Sequence, residues 1–256
     1  MQKLILIKVG GKLVEDPVSL NILLKQFSAI KGPKVLIHGG GRLATALAKQ
    51  MGIETKMVDG RRITDKEMLK IVTMVYGGLV NKNIVAQLQA MGINALGLTG
   101  ADLNYMEAVK RPVKDIDYGF AGDITKVNIE VLCPLVENNI VPVLAPLSHD
   151  KNGQLLNTNA DTIAAEASIA FSKYFETELV YCFDMPGVMT DPDDVTSVIP
   201  NLTFKQFKSY QKEGVISDGM IPKLDNSFLA LSKGVNKIRI SNISGLKFGG
   251  TNLINN

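Results

Sequence analysis

Apolar residues fall along this chain in short blocks with two rhythms. Leu4-Ile5-Leu6-Ile7 and Val35-Leu36-Ile37 are continuous apolar runs, the pattern of parallel strands buried on both faces. Between them residues 20–30 read as a helix, stopped by Lys31-Gly32-Pro33. After the second run, Leu43, Ala44, Leu47 and Ala48 recur at helical spacing. Residues 57–64, with Gly60 at the turn, predict a hairpin. Thr64 or Asp65 then caps a long helix reaching about Met91, with Gly77-Gly78 in its middle. A short strand is expected over 94–98. The Gly-, Asp- and Tyr-rich stretch 99–124 reads as hairpins and loops outside the main sheet, with a strand over 105–109.

Further on, 127–138 reads as a helix despite Pro134, and 140–144 as a buried strand. A helix is expected from about Thr162 to Lys173, then a core strand over 179–183 and a helix near 205–212. Another helix ends at Leu231, and strands at 237–240 and 246–250 complete the set. Strands alternating with helices predict an α/β fold: a three-layer α/β/α sandwich with a mainly parallel central sheet, formed by residues 1–256 as one domain.

Both of the first two strands end in glycines. Lys8-Val9-Gly10-Gly11-Lys12 follows the first, and His38-Gly39-Gly40-Gly41 follows the second. One helix joins them, so a right-handed crossover puts both turns at the carboxyl edge of one sheet, where open α/β sheets bind ligands. Bare backbone N–H groups at a helix start bind anions, phosphate above all. Gly39-x-Gly41-x-x-Ala44 also fits a dinucleotide fingerprint loosely, and a plain strand–helix turn accounts for it equally well. Lys8 and Lys223 would suit phosphoryl transfer, which asks for positive charge around the moving group. A strand-end lysine can also simply reach solvent, and a lysine opening a helix can be a surface group. Asp161, after Asn157 and Asn159, is either part of such a site or a helix cap. Walker A and the protein-kinase signatures are absent.

Bulk properties narrow the partners. Across 256 residues the net charge is +3, too small to argue for nucleic acid, and no basic block supports it. No apolar run approaches a membrane span, and Met1-Gln2-Lys3 leads into a strand, not a signal peptide. The two cysteines, Cys133 and Cys182, sit in apolar surroundings and read as buried free thiols of a reducing cytoplasm. The two histidines, His38 and His149, cannot form a His-rich metal site.

Six segments in order resemble the amino acid kinase superfamily, and within it the acetylglutamate kinases. They are Lys8-Val-Gly-Gly11, His38-Gly-Gly-Gly41, Asp59-Gly-Arg-Arg62-Ile-Thr64, Asn157-Thr-Asn-Ala-Asp161, Asp184-Met-Pro-Gly-Val188 and Ser217-Asp-Gly-Met-Ile-Pro-Lys223. The resemblance implies the amino acid kinase fold. It implies ATP-dependent phosphorylation of the side-chain carboxylate of N-acetyl-L-glutamate, in arginine biosynthesis, with Mg²⁺ on the ATP phosphates and no metal ligands from side chains. Lys8 and Lys223 correspond to the lysines that stabilise the transferring phosphoryl group, and Asp161 to the aspartate that holds them. Gly10, Gly11, Gly40 and Gly41 correspond to backbone donors, the first two toward nucleotide and the last two toward substrate. Arg62 and Asn157 correspond to the pair that grips the substrate's α-carboxylate, where a planar guanidinium gives two parallel hydrogen bonds. Asp184, Gly187, Val188, Gly219 and Met220 fall in the nucleotide region. Residues to about 175 would form the acyl-amino-acid and phosphate side, and 176–256 the nucleotide side.

Two segments depart from the family pattern: Asp184-Met-Pro-Gly-Val188, preceded by Cys182-Phe183 near the adenine end, has Met185 where valine is usual, and Thr99-Gly-Ala-Asp-Leu-Asn-Tyr105 lies near the substrate end. Adjacent Lys110 and Arg111 could meet an extra carboxylate, such as that of N-succinylglutamate, or form a solvated pair at a hairpin end. A related carboxylate kinase and, more remotely, a dinucleotide-dependent oxidoreductase are the competing expectations. Because the first strand begins near Lys3, leaving no room for an N-terminal helix, a homodimer through the 65–91 helix, insensitive to arginine, is expected in place of a hexamer.

Overall fold

Alternation along the first strand sets the architecture. In β1 (Lys3–Val9), Leu4 and Leu6 enter one apolar cluster while Ile7 and Val9 enter another. A strand that is apolar on both faces needs a covering layer on each side. Lys8 falls on the Leu4 and Leu6 face, because side chains repeat every second residue.

The computed structural model describes residues 1–58, 60–216 and 218–255, with only the backbone of Asp218. Asp59 and Ser217 of the family-like segments lie outside the described residues. Further strands are β2 (Lys34–His38), β3 (Met57–Val58), β4 (Arg61–Arg62), β5 (Ala95–Leu98), β6 (Met106–Lys110), β7 (Gly122–Val127), β8 (Val141–Leu144), β9 (Leu147–His149), β10 (Leu155–Asn157), β11 (Glu176–Phe183), β12 (Asn201–Thr203), β13 (Lys237–Asn242) and β14 (Thr251–Ile254). An eight-stranded sheet runs β12-β14-β13-β11-β1-β2-β8-β5, antiparallel only between β13 and β14. A smaller sheet, β10-β9-β6-β7, lies apart from it, and β3 pairs with β4 in a hairpin.

Helices cover both faces of the large sheet. Ala160–Phe171, Phe204–Lys212 and Ile221–Ser232 pack Ile163, Phe171, Phe207, Leu224 and Phe228 against the face carrying Leu4. Pro17–Ser28, Gly41–Gln50 and the long helical stretch from Lys66 to Ala90 pack Leu24, Phe27, Ala44, Val72 and Ile84 against the other. The fold is α/β, with the expected three layers. Asp65 caps the long helix by accepting from the Met68 amide at 2.8 Å. Its middle, Thr73–Val80, is π-helical and contains Gly77 and Gly78.

Several local expectations change. The helix expected over 127–138 is instead the end of β7, a 3-10 turn at Ile129–Val131 and a helix confined to Cys133–Glu137. Pro134 lies in that helix's first turn, where its missing N–H costs nothing, so it starts a helix and does not interrupt one. The stretch 246–250 is a turn, and the strand follows it at Thr251–Ile254. The buried Arg239 holds that turn closed: its guanidinium donates to the carbonyls of Gly245, Gly249 and Leu246 at 2.7–2.8 Å. Gly250 (φ +102°) then lets the chain pass β13, where a Cβ would lie 2.1 Å from the Ile240 carbonyl.

Candidate active site

Strands β1 and β2 run parallel with Val9 beside His38, so their glycine turns leave the sheet side by side. A Cβ on Gly39 would sit 3.7 Å from both the Gly11 nitrogen and the Val9 carbonyl oxygen. The Gly10 amide is already bonded to the Cys182 carbonyl at 2.9 Å. Gly10 therefore offers close approach and no free donor: a Cβ there would lie 2.9 Å from the Phe183 ring.

Beyond β1, Lys8 points toward the helix Ala160–Phe171, which starts at the sheet's carboxyl edge. Asn159 caps that helix, accepting from the amides of Asp161 (2.7 Å) and Thr162 (3.4 Å). The capping alternative for Asp161 is thereby excluded, and its carboxylate turns onto two lysines. Oδ1 stands 2.6 Å from Lys8 Nζ and Oδ2 stands 3.3 Å from Lys223 Nζ. The side chains of Lys8, Asp161 and Lys223 are 8, 11 and 27% exposed. Burial opposes ionisation of Asp161, but the charges of Lys8 and Lys223 and their hydrogen bonds outweigh it, and its pKa stays below the usual carboxylate range.

A cavity of about 200 Å³ opens beside this cluster, lined by Lys8, Gly40, Gly41, Arg62, Asn157 and Asp161 among others. Arg62 is buried, and its Nη2 donates to the Gly41 carbonyl (2.7 Å) and the Thr45 hydroxyl (2.9 Å). This fixes the guanidinium against the second glycine turn. Asn157 Nδ2 donates to the Thr64 hydroxyl at 2.9 Å, which ties β10 to the hairpin carrying Arg62. A second cavity, about 390 Å³, is lined by Phe183, Asp184, Gly187, Val188, Gly219, Met220 and Lys223. Asp184 pairs with Lys12, whose hydrogen bond lowers the Asp184 pKa. Lys223 lines the second cavity while its Nζ reaches Asp161 in the first, so the lysine cluster stands where the two cavities meet. Such an arrangement suits transfer of an anionic group between two ligands. Gly10 and Gly11 line neither cavity.

The family model described as "Amino acid kinase family" matches residues 3–242. The chain is 59% identical to the acetylglutamate kinase of Parabacteroides distasonis over 249 residues, covering 97% of this chain and 98% of that one. It is 36% identical to the acetylglutamate kinase of Methanopyrus kandleri over 247 residues, covering 95% and 96%. The chain belongs to the acetylglutamate kinase family. Among solved structures, smu.665 from Streptococcus mutans UA159 superposes with a TM-score of 0.82 at 26% identity, covering 98% of both chains.

For a member of the acetylglutamate kinase family, the site also holds one residue that the sequence patterns did not mark, Tyr76, beside Arg111, which they did. Tyr76 lines the first cavity, and its ring lies 3.0 Å from where a Cβ on Gly40 would be. It comes from the π-helical segment, a geometry frequent at functional sites. The sequence trace of that segment was Gly77-Gly78 inside a helix. Arg111 lines the same cavity, but Asp123 grips it through Nε (3.0 Å) and Nη2 (2.6 Å). Lys110 is exposed and lies over the Phe120 ring, 5.2 Å from its centre.

Proposed function

We propose that this protein phosphorylates the side-chain carboxylate of N-acetyl-L-glutamate with ATP, giving N-acetyl-L-glutamyl 5-phosphate and ADP, in arginine biosynthesis. The observation that carries this reading is the Asp161 carboxylate bridging Lys8 and Lys223 at the junction of two cavities. The acyl-amino acid occupies the first cavity, with Arg62 and Asn157 toward its α-carboxylate. ATP occupies the second, formed largely by residues after about 175. Mg²⁺ carried on the ATP phosphates would supply further positive charge there; Asp161, with a lysine on each oxygen, is not placed to hold it.

The attacking carboxylate is ionised at neutral pH, so no general base is required. His38 supports this economy. Burial pulls its pKa to about 4, and both ring nitrogens are engaged, with Gly39 and Asn81. The two lysines offset the repulsion between carboxylate and phosphates and stabilise charge on the moving phosphoryl group as it passes in line. The dinucleotide alternative fits poorly: Glu54 ends no strand and sits exposed beside Lys56, Asp59 lies outside the described residues, and the reading leaves Lys8 and Lys223 unexplained.

One observation favours a second reading, N-succinylglutamate as the acceptor: Arg111 lines the same cavity as Arg62. We also infer a homodimer in the cytoplasm; the dimer is supported by exposed Met74 and Leu79 in the middle of the long helix, and the location by the family's role in amino-acid biosynthesis. A coupled ADP-release assay across N-acetyl-, N-succinyl- and free glutamate, carbamate and aspartate tests the reading. Turnover confined to a substrate other than an N-acylglutamate would overturn it.

A further inference from the structure

Phe183 ends β11, directly ahead of the segment that departs from the family pattern, and its ring meets both lysines of the site. Its ring centre lies 4.9 Å from Lys8 Nζ and 4.9 Å from Lys223 Nζ. Each ammonium group therefore has two anchors, one oxygen of Asp161 and the face of one aromatic ring. The ring itself is fixed. On β11 the two-residue repeat puts Tyr181 and Phe183 on one side, and their rings stack with centres 6.1 Å apart and planes 11° from parallel. The Tyr181 hydroxyl donates to the Asp161 carbonyl at 3.4 Å. The edge of Phe183 presses on Gly10, leaving no space for a side chain there.

We propose that Phe183 is a positioning residue that presets the spacing of Lys8 and Lys223 through cation–π attraction. This inference rests on the proposed phosphoryl transfer. The physical logic is charge economy. Two like-charged ammonium groups must be held close, and Asp161 alone neutralises one of them. A second carboxylate would hold the other but would repel incoming phosphates and the acceptor carboxylate. An aromatic face attracts both cations while adding no net negative charge. Preset lysines need no reorganisation as charge develops in the transition state.

The experiment replaces Phe183 by phenylalanines carrying one, two and three ring fluorines, which weaken the quadrupole while nearly preserving shape, and by Leu and Tyr. Expected is a stepwise fall in kcat, reaching about tenfold at three fluorines. Phe183→Leu falls at least as far, Phe183→Tyr recovers most of the loss, and KM for ATP stays within about twofold throughout. A flat kcat across the fluorinated series, or a rise in KM for ATP with kcat unchanged, overturns the proposal and leaves Phe183 as a wall of the nucleotide cavity. A readout without turnover separates this from the functional reading. The side-chain NMR signals of Lys8 and Lys223 should carry ring-current shifts that vanish in Phe183→Leu. Absence of those shifts in the unsubstituted protein overturns the proposal even if the kinase reaction stands, and their presence without turnover on any N-acylglutamate would leave the positioning intact and remove the function.

Discussion

His38 and Asn81 meet in the interior, with the Asn81 amide donating to His38 Nε2 at 3.1 Å while it also donates to the Val143 carbonyl at 2.9 Å. His38 Nδ1 faces the Gly39 carbonyl at 2.8 Å and acts as its donor, which leaves Nε2 as the acceptor. The second glycine turn is thus anchored to the long helix by a neutral imidazole. A proton on Nε2 would point one donor at another.

That contact predicts acid sensitivity. Burial, more than any other influence, lowers the His38 pKa from 6.5 to about 4. The unfolded chain binds a proton near pH 6.5 and the native protein does not until about pH 4, so stability present above pH 6.5 is lost as pH falls through that window. The loss approaches about 3 kcal/mol, since each unit of pKa difference is about 1.4 kcal/mol. Urea unfolding of the native sequence and of His38→Asn at pH 7.5, 6 and 5 checks this. Parallel pH slopes in the two proteins would refute it.

The lysine cluster predicts large and separable effects. Lys8→Ala and Lys223→Ala should each lower kcat by about 10²–10³, the scale for removing one donor to transition-state charge. Stability should separate them. Lys8 is the closer and more buried partner of Asp161, so its removal should cost about 3 kcal/mol, with a smaller cost for Lys223. Steady-state kinetics and urea midpoints measure both quantities. Near-normal turnover in either variant would remove that lysine from the chemistry.

Arg62→Lys should raise KM for the acyl-amino acid about tenfold or more, with KM for ATP changed less than about twofold. Lysine keeps the charge but cannot hold the Gly41 carbonyl and the Thr45 hydroxyl while also presenting a planar fork. Equal changes in both constants would place Arg62 in support of the fold.

The frame of this site was legible because its signals are local. Continuous apolar runs marked β1 and β2, and glycines after each marked the binding edge. The period of two along β1 could even have put Lys8 on the Leu4 face. What stayed hidden depends on contacts distant in sequence. Nothing near Gly10 announces that the Cys182 carbonyl takes its amide. Nothing near Leu246 announces that Arg239 closes the following turn, so a strand was expected five residues early. β9 and β10 are three residues each, too short for an alternating pattern to register. Phe183 stood out in sequence only beside a departure from the family pattern; its contact with Lys8 and Lys223 appears once the chain is folded.

With an N-acylglutamate in the first cavity, Arg111 and Asp123 are the residues predicted to set acyl-group choice. Arg111 lines the acceptor cavity, but its charge is paired with Asp123 through three contacts of 2.6–3.3 Å. A neutral pair gives little attraction for a second carboxylate, and exposed Lys110 rests over Phe120. Asp123 is itself 42% exposed, so the pair contributes little stability and can be opened cheaply. The native protein should therefore favour N-acetyl- over N-succinyl-glutamate in kcat/KM. Asp123→Asn, which frees Arg111, should move the ratio toward the succinyl substrate by about fivefold, near 1 kcal/mol. Lys110→Ala should leave the ratio unchanged. A native preference for N-succinylglutamate that disappears in Arg111→Ala would reverse the assignment, showing that Arg111 leaves Asp123 to meet the substrate, and would keep the reaction itself the same.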